Sequence, residues 1–301
     1  MKLIQGLKIN KKFKNSVIAI GNFDGLHLGH KKTLLKAKLK AKKLKLKFGV
    51  VTFEPIPVMF FNKKIKNHRI NNLDQKILFL KKLKIDFLYI VKFTKRFSYL
   101  TADKFIKNIL YRRIKFKFIF ISKNFKFGKN RKGNIYTLKE YEKLYNYKTI
   151  IINPFKFNNK VLSSSLVRRK IMSGKLDKAN ILLGRDWSIQ GRVIKGAQRG
   201  RKIGFPTCNI ELNSYVIPKL GVYSVNVKIG KIFKKGIANI GFRPTFRGKN
   251  LLLEVNIFGL KANLYKRILE INFKKFIRGE KKFKNINELK LQIKKDINKV
   301  K

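Results

Sequence analysis

Only three histidines occur in the 301 residues, and two of them, His27 and His30, close a single stretch, V-I-A-I-G-N-F-D-G-L-H-L-G-H at 17–30. An apolar run from Val17 to Ile20 breaks at Gly21, Gly25 and Gly29 follow, and a lysine-rich helical pattern starts at once. Buried strand, glycine turn and helix start, in that order, make the place where α/β folds hold phosphate. Unpaired amides and the helix dipole favour negative charge there, and glycine lets the backbone come close. Two imidazoles at such a turn can donate to phosphate oxygens and stabilise a five-coordinate phosphorus without a covalent intermediate. A zinc site competes for the same residues, but only His68 and the single Cys208 remain to complete it, which argues against a metal built on them. A plain glycine turn carrying two surface histidines fits the spacing equally well.

A second group of candidates lies in G-R-V-I-K-G-A-Q-R-G-R-K-I-G-F-P-T-C-N at 191–209. Gly200 and Gly204 flank Arg201 and Lys202, a loop suited to phosphate, although the G-K-[S/T] of a P-loop is missing. Thr207 and Asn209 stand two apart on a predicted strand, so both face one side. A hydroxyl and an amide oxygen there suit a hard cation beside ATP phosphates; the competing reading is a turn and strand with polar groups facing water. In L-L-L-E-V-N-I-F at 251–258, alternation puts Glu254 on a face with Leu252 and Asn256. A glutamate in so apolar a strand is costly unless paired, exposed or functional. With 15 acidic residues against 74 basic ones, a surface ion pair is the competing explanation for Glu254. Finally, S-S-S-L-V-R-R-K-I-M-S-G at 163–174 reads as a helix opened by serine caps and stopped at Gly174. The capping hydroxyls and free amides of such a helix also surround an anion site.

The elements that must hold these residues fall into two patterns. Helical spacing at 31–47 and 73–83, and from Thr101 as N-cap to Leu110, alternates with apolar strands at 48–53, 86–91 and 116–121. This alternation predicts a parallel α/β sheet with nucleotide chemistry at the strand C-terminal ends. From Trp187 onward, short strands separated by Gly and Pro predict a compact antiparallel barrel or sandwich, and helical spacing returns from Ile286. The boundary falls near 184–186, giving domains 1–184 and 185–301.

The formal charge of +59 raises nucleic-acid binding, which a basic face would drive independently of sequence. The lysines, however, run from Lys2 to Lys301 through helices and loops rather than along one stripe. Lysine, asparagine, isoleucine and phenylalanine are abundant together, a set encoded by A/T-rich codons, so no specific nucleic-acid partner is expected. No apolar run approaches a membrane span, and the first fourteen residues lack the apolar core of a signal peptide. With one cysteine and hence no intrachain disulfide, the sequence predicts a cytoplasmic protein with small-molecule substrates.

The G-N-F-D-G-L-H-L-G-H stretch resembles the signature of bacterial bifunctional riboflavin kinase/FMN adenylyltransferases, the FAD synthetases. V-T-F-E-P-I-P at 51–57, N-F-K-F-G at 124–128, S-S-S-L-V-R at 163–168 and L-L-G-R at 182–185 follow in that family's order. The resemblance implies a Rossmann-like nucleotidyltransferase domain that joins FMN to the AMP part of ATP and releases pyrophosphate. It implies that His27 and His30 stabilise the α-phosphate transition state, and that Gly21, Phe23 and Asp24 shape the ATP site. Asn124 would lie in the flavin and nucleotide cleft, and Ser164, Ser165 and Arg168 would hold the triphosphate. The G-F-P-T-C-N segment and N-I-G-F-R-P-T-F at 239–246 resemble the riboflavin kinase domain, a small Greek-key barrel. There Thr207 and Asn209 would hold Mg²⁺ with ATP, Gly200, Arg201 and Gly204 would meet the phosphates, and Glu254 would be the base for the riboflavin 5′-hydroxyl. Ile56, Val161, Cys208, Asn256 and Gly279 depart from the usual residues. The expectation is a two-step route from riboflavin to FMN to FAD. Its rivals are a chain that keeps one activity, and a basic nucleic-acid-binding protein on the same scaffold.

Overall fold

The computed structural model describes residues 1–6, 9–196, 198–212, 214–245, 248–260 and 262–300. Ala197 of the glycine loop and Phe246 of the 239–246 motif lie outside the described residues. The chain packs as two compact units, Met1–Ile65 with Leu73–Ser163, and Lys66–Asn72 with Ser164–Lys301.

In the first unit β1 (Lys2–Gln5), β2 (Ser16–Ile20), β3 (Phe48–Glu54), β4 (Phe87–Lys92), β5 (Phe116–Ser122) and β6 (Lys148–Ile152) form one sheet in the order β1-β4-β3-β2-β5-β6. Every neighbouring pair is parallel. Such strands bury both faces, which is why they read as unbroken apolar runs. Alternate residues of β2 feed opposite layers: Val17 and Ala19 pack with Leu34, Ala37 and Ala41 of α1 (Leu28–Lys43), while Ile18 and Ile20 join the layer of Phe105, Ile109 and Leu110. From β2 the chain builds β3 and β4 to one side, and β5 and β6 to the other. The strand order therefore reverses between β2 and β5, the place where open α/β sheets leave a crevice at the C-terminal strand ends. The helix α2 (Leu73–Lys82) matches the expected span. The stretch begun by Thr101, whose side chain accepts from the Lys104 amide, is α-helical only to Phe105 and continues as a π-helix over Ile106–Ile114.

In the second unit α3 (Ser164–Met172) and α4 (Leu176–Leu183) precede a closed barrel of β7 (Trp187–Ile194), β8 (Cys208–Glu211), β9 (Gly221–Ile229), β10 (Ile232–Thr245), β11 (Gly248–Ile257) and β12 (Ile268–Arg278). Around the barrel the order is β8-β11-β10-β9-β12-β7, all antiparallel, so closure removes the sheet edges. Trp187, Tyr223, Ile271 and Phe273 are buried, with the Trp187 and Phe273 rings 4.9 Å apart. The terminal helix α5 (Ile286–Asn298) is tied on by a charge pair between buried Asp296 and half-buried Arg278: Arg278 Nε donates to Asp296 Oδ2 at 2.9 Å and Nη2 approaches the same oxygen at 2.8 Å. The short segment 66–72 is woven into this unit. Val216 N donates to Arg69 O at 2.8 Å, Trp187 Nε1 to Ile70 O at 2.9 Å, and Arg185 Nη2 to Asn71 Oδ1 at 2.8 Å. Burial pulls the Arg185 guanidinium down to about 10. No described helix is long and apolar enough to cross a membrane.

Candidate active sites

The first site is built on the turn between β2 and α1. Gly21 N donates to Val51 O at 3.1 Å, which keeps the start of the turn in register with β3. The chain then takes the left-handed region at Phe23 (φ 46°), Gly25 (φ 82°) and Leu26 (φ 40°). Glycine accepts this freely, whereas each of the other two costs about 1–3 kcal/mol and needs its surroundings to hold it. Phe23 and Leu26 are held by burial among the residues of β2 and α1.

His27 is the N-cap of α1, and its Nδ1 accepts the His30 amide at 3.3 Å. Accepting at Nδ1 assigns the proton of a neutral ring to Nε2, which is thereby a donor. The His27 and His30 rings stack at 3.7 Å between centroids and 18° between planes, and Phe23 meets His30 edge-on at 5.3 Å. Gly29 makes room for this stack: a Cβ there would stand 3.2 Å from His27 Nδ1 and 3.3 Å from Phe155 Cβ. His27 and Asp24 are buried, while His30 is half-buried. Asn124 lies exposed just past the end of β5, on the strand that neighbours β2 across the point where strand order reverses. Gly21, Phe23, Asp24, His27 and His30 are thus one continuous turn with Asn124 on the adjacent strand's C-terminal side.

Ser164, Ser165 and Arg168 belong to α3 in the second compact unit. Ser165 is exposed, and Arg168 Nε donates to His68 O at 3.0 Å. His68 is therefore part of the 66–72 segment, and no three His, Cys, Asp or Glu side chains gather as a metal site among the described residues.

The second site is on the barrel. Asn209 of β8 pairs in register with Glu254 of β11, and Glu254 in turn with Asn239 of β10, so the three lie in one row across adjacent strands. Glu254 is half-buried. Asn209 is 5% exposed, and its Oδ1 accepts no hydrogen bond. An amide oxygen left so costs stability unless a ligand uses it. Thr207, two residues earlier, is exposed at the strand entrance. A hydroxyl and an orphaned amide oxygen are donors that would suit a hard cation such as Mg²⁺.

The loop before β8 is closed by Phe205 N donating to Gly200 O at 2.8 Å. A Cβ on Gly200 would stand 2.4 Å from Phe205 O, and Gly204 adopts φ 90°. Both glycines are therefore needed for the turn that presents exposed Arg201 and Lys202. Burial pushes the Cys208 thiol up.

The chain matches the family model described as FAD synthetase over residues 9–166 and the model described as riboflavin kinase over residues 183–301. It belongs to the bifunctional riboflavin kinase/FMN adenylyltransferase family. Relatives so named include one from Buchnera aphidicola subsp. Schizaphis graminum, 44% identical over 100% of this chain and 98% of its own. Another, from Escherichia coli K12, is 36% identical over 98% and 96%. Among solved structures, a Streptococcus pneumoniae protein titled a macrolide-efflux protein superposes with a TM-score of 0.87 at 28% identity, covering 100% of this chain and 99% of that one. The parallel-sheet unit and the closed barrel are the fold expected from the family resemblance.

Three further residues support the candidate sites, and of these the sequence singles out only Asn256. Lys76 of α2 is buried, and its Nζ donates to Asn22 O at 2.9 Å beneath the first turn. Its position three residues after Leu73 and four before Leu80, on one helix face, is the signal that would have found it. Asn256 Nδ2 donates to Pro206 O at 2.7 Å, holding the backbone just before Thr207; the alternation that singles out Glu254 puts Asn256 on the same face. Gly196 approaches Asn209 so closely that a Cβ would lie 2.2 Å from Nδ2, a constraint invisible in sequence.

Proposed function

We propose that this chain phosphorylates riboflavin to FMN with one ATP and then joins FMN to the AMP part of a second ATP, releasing pyrophosphate. The functional division falls near residue 184, with adenylyl transfer at 1–184 and the kinase at 185–301. The observation that carries the reading is the presence of two separate phosphate-competent constellations. One is the stacked His27–His30 pair at the start of α1; the other is the Asn209–Glu254 row of the barrel.

In adenylyl transfer a phosphate oxygen of FMN attacks the α-phosphorus of ATP, and the bond to pyrophosphate breaks as the new one forms. Charge builds on the non-bridging α-oxygens, where His27 Nε2 and His30 donate and the N-terminal end of α1 adds its dipole. Gly21, Phe23 and Asp24 shape the ATP site, and Asn124 faces the flavin and nucleotide cleft. Ser164, Ser165 and Arg168 keep the triphosphate-holding role that their motif implies.

In the kinase reaction Glu254 takes the proton of the riboflavin 5′-hydroxyl, whose oxygen attacks the γ-phosphorus in line as ADP leaves. Thr207 and Asn209 are the residues that would hold Mg²⁺, with Gly200, Arg201 and Gly204 against the phosphates. When bound, Mg²⁺ offsets phosphate charge and aligns the ATP. The substrates are small molecules, no specific nucleic-acid partner is invoked by the charge, and the setting is cytoplasmic.

The test is incubation of the folded protein with riboflavin, ATP and Mg²⁺, resolving FMN, FAD and pyrophosphate over time. FMN should rise first, and FAD and pyrophosphate should follow together. FMN accumulating without FAD would remove the adenylyl-transfer half, and no flavin product at all would overturn the reading.

A further inference from the structure

The turn that carries Gly21 to His27 has two non-glycine residues in the left-handed region, Phe23 and Leu26. Such a backbone persists only where neighbouring groups over-determine it. Two polar groups converge under it. Lys76 Nζ donates to Asn22 O at 2.9 Å, and Thr52 Oγ1 donates to the same carbonyl at 3.2 Å. Lys76 Nζ also lies 3.5 Å from Thr52 Oγ1, so the three groups meet in one cluster. Lys76 is 1% exposed and Thr52 fully buried. Thr52 is in β3, Lys76 in α2 and Asn22 in the turn, so the set ties three elements together next to the histidine pair.

An aliphatic side chain would fill the same space on α2 with far less desolvation, since a buried ammonium is costly to keep. What an aliphatic residue cannot do is fix the direction of the Asn22 carbonyl. That direction sets the peptide plane between Asn22 and Phe23, and through it the positive φ at Phe23. Five residues after Asn22, His27 becomes the N-cap of α1, with its Nδ1 committed to the His30 amide.

We propose that Lys76, together with Thr52, is a positioning residue for adenylyl transfer: it holds the Asn22 carbonyl so that the turn delivers His27 and His30 to the α-phosphate. The inference rests on the adenylyltransferase reading above and assigns Lys76 no contact with substrate. Because the imidazoles act on charge that develops in the transition state, misplacing them lowers kcat more than it weakens ATP binding.

Three variants of the full chain test this: Lys76→Met, which removes the ammonium; Thr52→Val, which removes the hydroxyl in the same shape; and Thr52→Ser, which keeps it. FAD formation from FMN, ATP and Mg²⁺ is measured with FMN formation from riboflavin as the internal reference and thermal melting alongside. Lys76→Met should lower kcat for FAD about 100-fold, the scale expected for a displacement of about 1 Å, with KM for ATP and the kinase rate each within about twofold. Thr52→Val should show the same kcat-only loss to a smaller degree, and Thr52→Ser should restore the rate. Folded Lys76→Met with wild-type kcat overturns the proposal. So does Thr52→Val with wild-type kcat, should Lys76→Met fail to fold. A wild-type chain that makes no FAD overturns the adenylyltransferase reading instead, which is a distinct result.

Discussion

A methyl group added at Gly196 would stand 2.2 Å from Asn209 Nδ2 and 2.8 Å from its Cγ. Asn209 cannot yield through its backbone, because β8 is paired on both sides, to Ile194 of β7 and to Glu254 of β11. The amide itself must retreat from 2.2 Å to the 3.4 Å of ordinary contact, a movement of more than 1 Å. Rotation of so short a side chain costs the fold little, about 1 kcal/mol as a mild overpacking. It does, however, carry Oδ1 away from where a cation with ATP would meet it. A misplacement of about 1 Å at a reacting constellation is worth about 100-fold in rate, or about 2.7 kcal/mol of transition-state stabilisation. Gly196→Ala should therefore lower kcat/KM for FMN formation by about that factor and raise the Mg²⁺ concentration needed for half-maximal rate. FAD formation from supplied FMN should be untouched, and melting should shift by only a few degrees. Riboflavin turnover within about threefold of wild type at every Mg²⁺ concentration, low and high, would refute the assignment of Asn209 to the cation.

Asp296→Ala leaves the half-buried Arg278 guanidinium without its buried carboxylate partner and should cost about 1.5–3 kcal/mol in denaturant unfolding, the scale of a hydrogen-bonded charge pair; a loss below about 0.5 kcal/mol would mean that the pair contributes little. Because burial pushes the Cys208 thiol up, its thiolate is scarce at neutral pH. Alkylation should be slower than that of a free thiol at pH 7.5 and match it once the chain is unfolded; equal rates in the folded protein would contradict this. The +59 charge should make stability depend on screening. The unfolding midpoint should rise between low and moderate salt, and a midpoint that stays put would show that self-repulsion is not felt.

Much of the local geometry of both candidate sites was legible because its signals are local. A strand breaking at Gly21 and a helix starting at Leu28 leave His27 little choice but the N-cap. Two-residue alternation likewise puts Glu254 and Asn256 on one face. The strand Ile268–Arg278 was not legible, since Lys274 and Lys275 interrupt its alternation; ladders to β9 and β7 on either side hold it in the barrel. Nor does periodicity reveal that segment 66–72 packs with residues 164 onward, because its hydrogen bonds join residues about a hundred apart in sequence, as Arg168 and His68 show. In the sequence Lys76 is one more lysine in a lysine-rich chain. Its burial beneath Asn22 is a tertiary fact that composition conceals. The roles proposed for the two histidines and for Glu254 make opposite demands on the two products.

The most direct measurement crosses one variant from each site with one substrate from each step. His27→Asn keeps an acceptor for the start of α1 while removing the Nε2 donor, and Glu254→Gln keeps the shape of the barrel residue while removing the base. Each is given riboflavin or FMN, with ATP and Mg²⁺, and both products are resolved. His27→Asn should form FMN at the wild-type rate and lose FAD formation by about 100-fold or more. Glu254→Gln should lose FMN formation by about 100-fold or more and still convert supplied FMN to FAD. A variant that loses both products while remaining folded, or one that loses neither, would contradict the assignment of two independent phosphate sites.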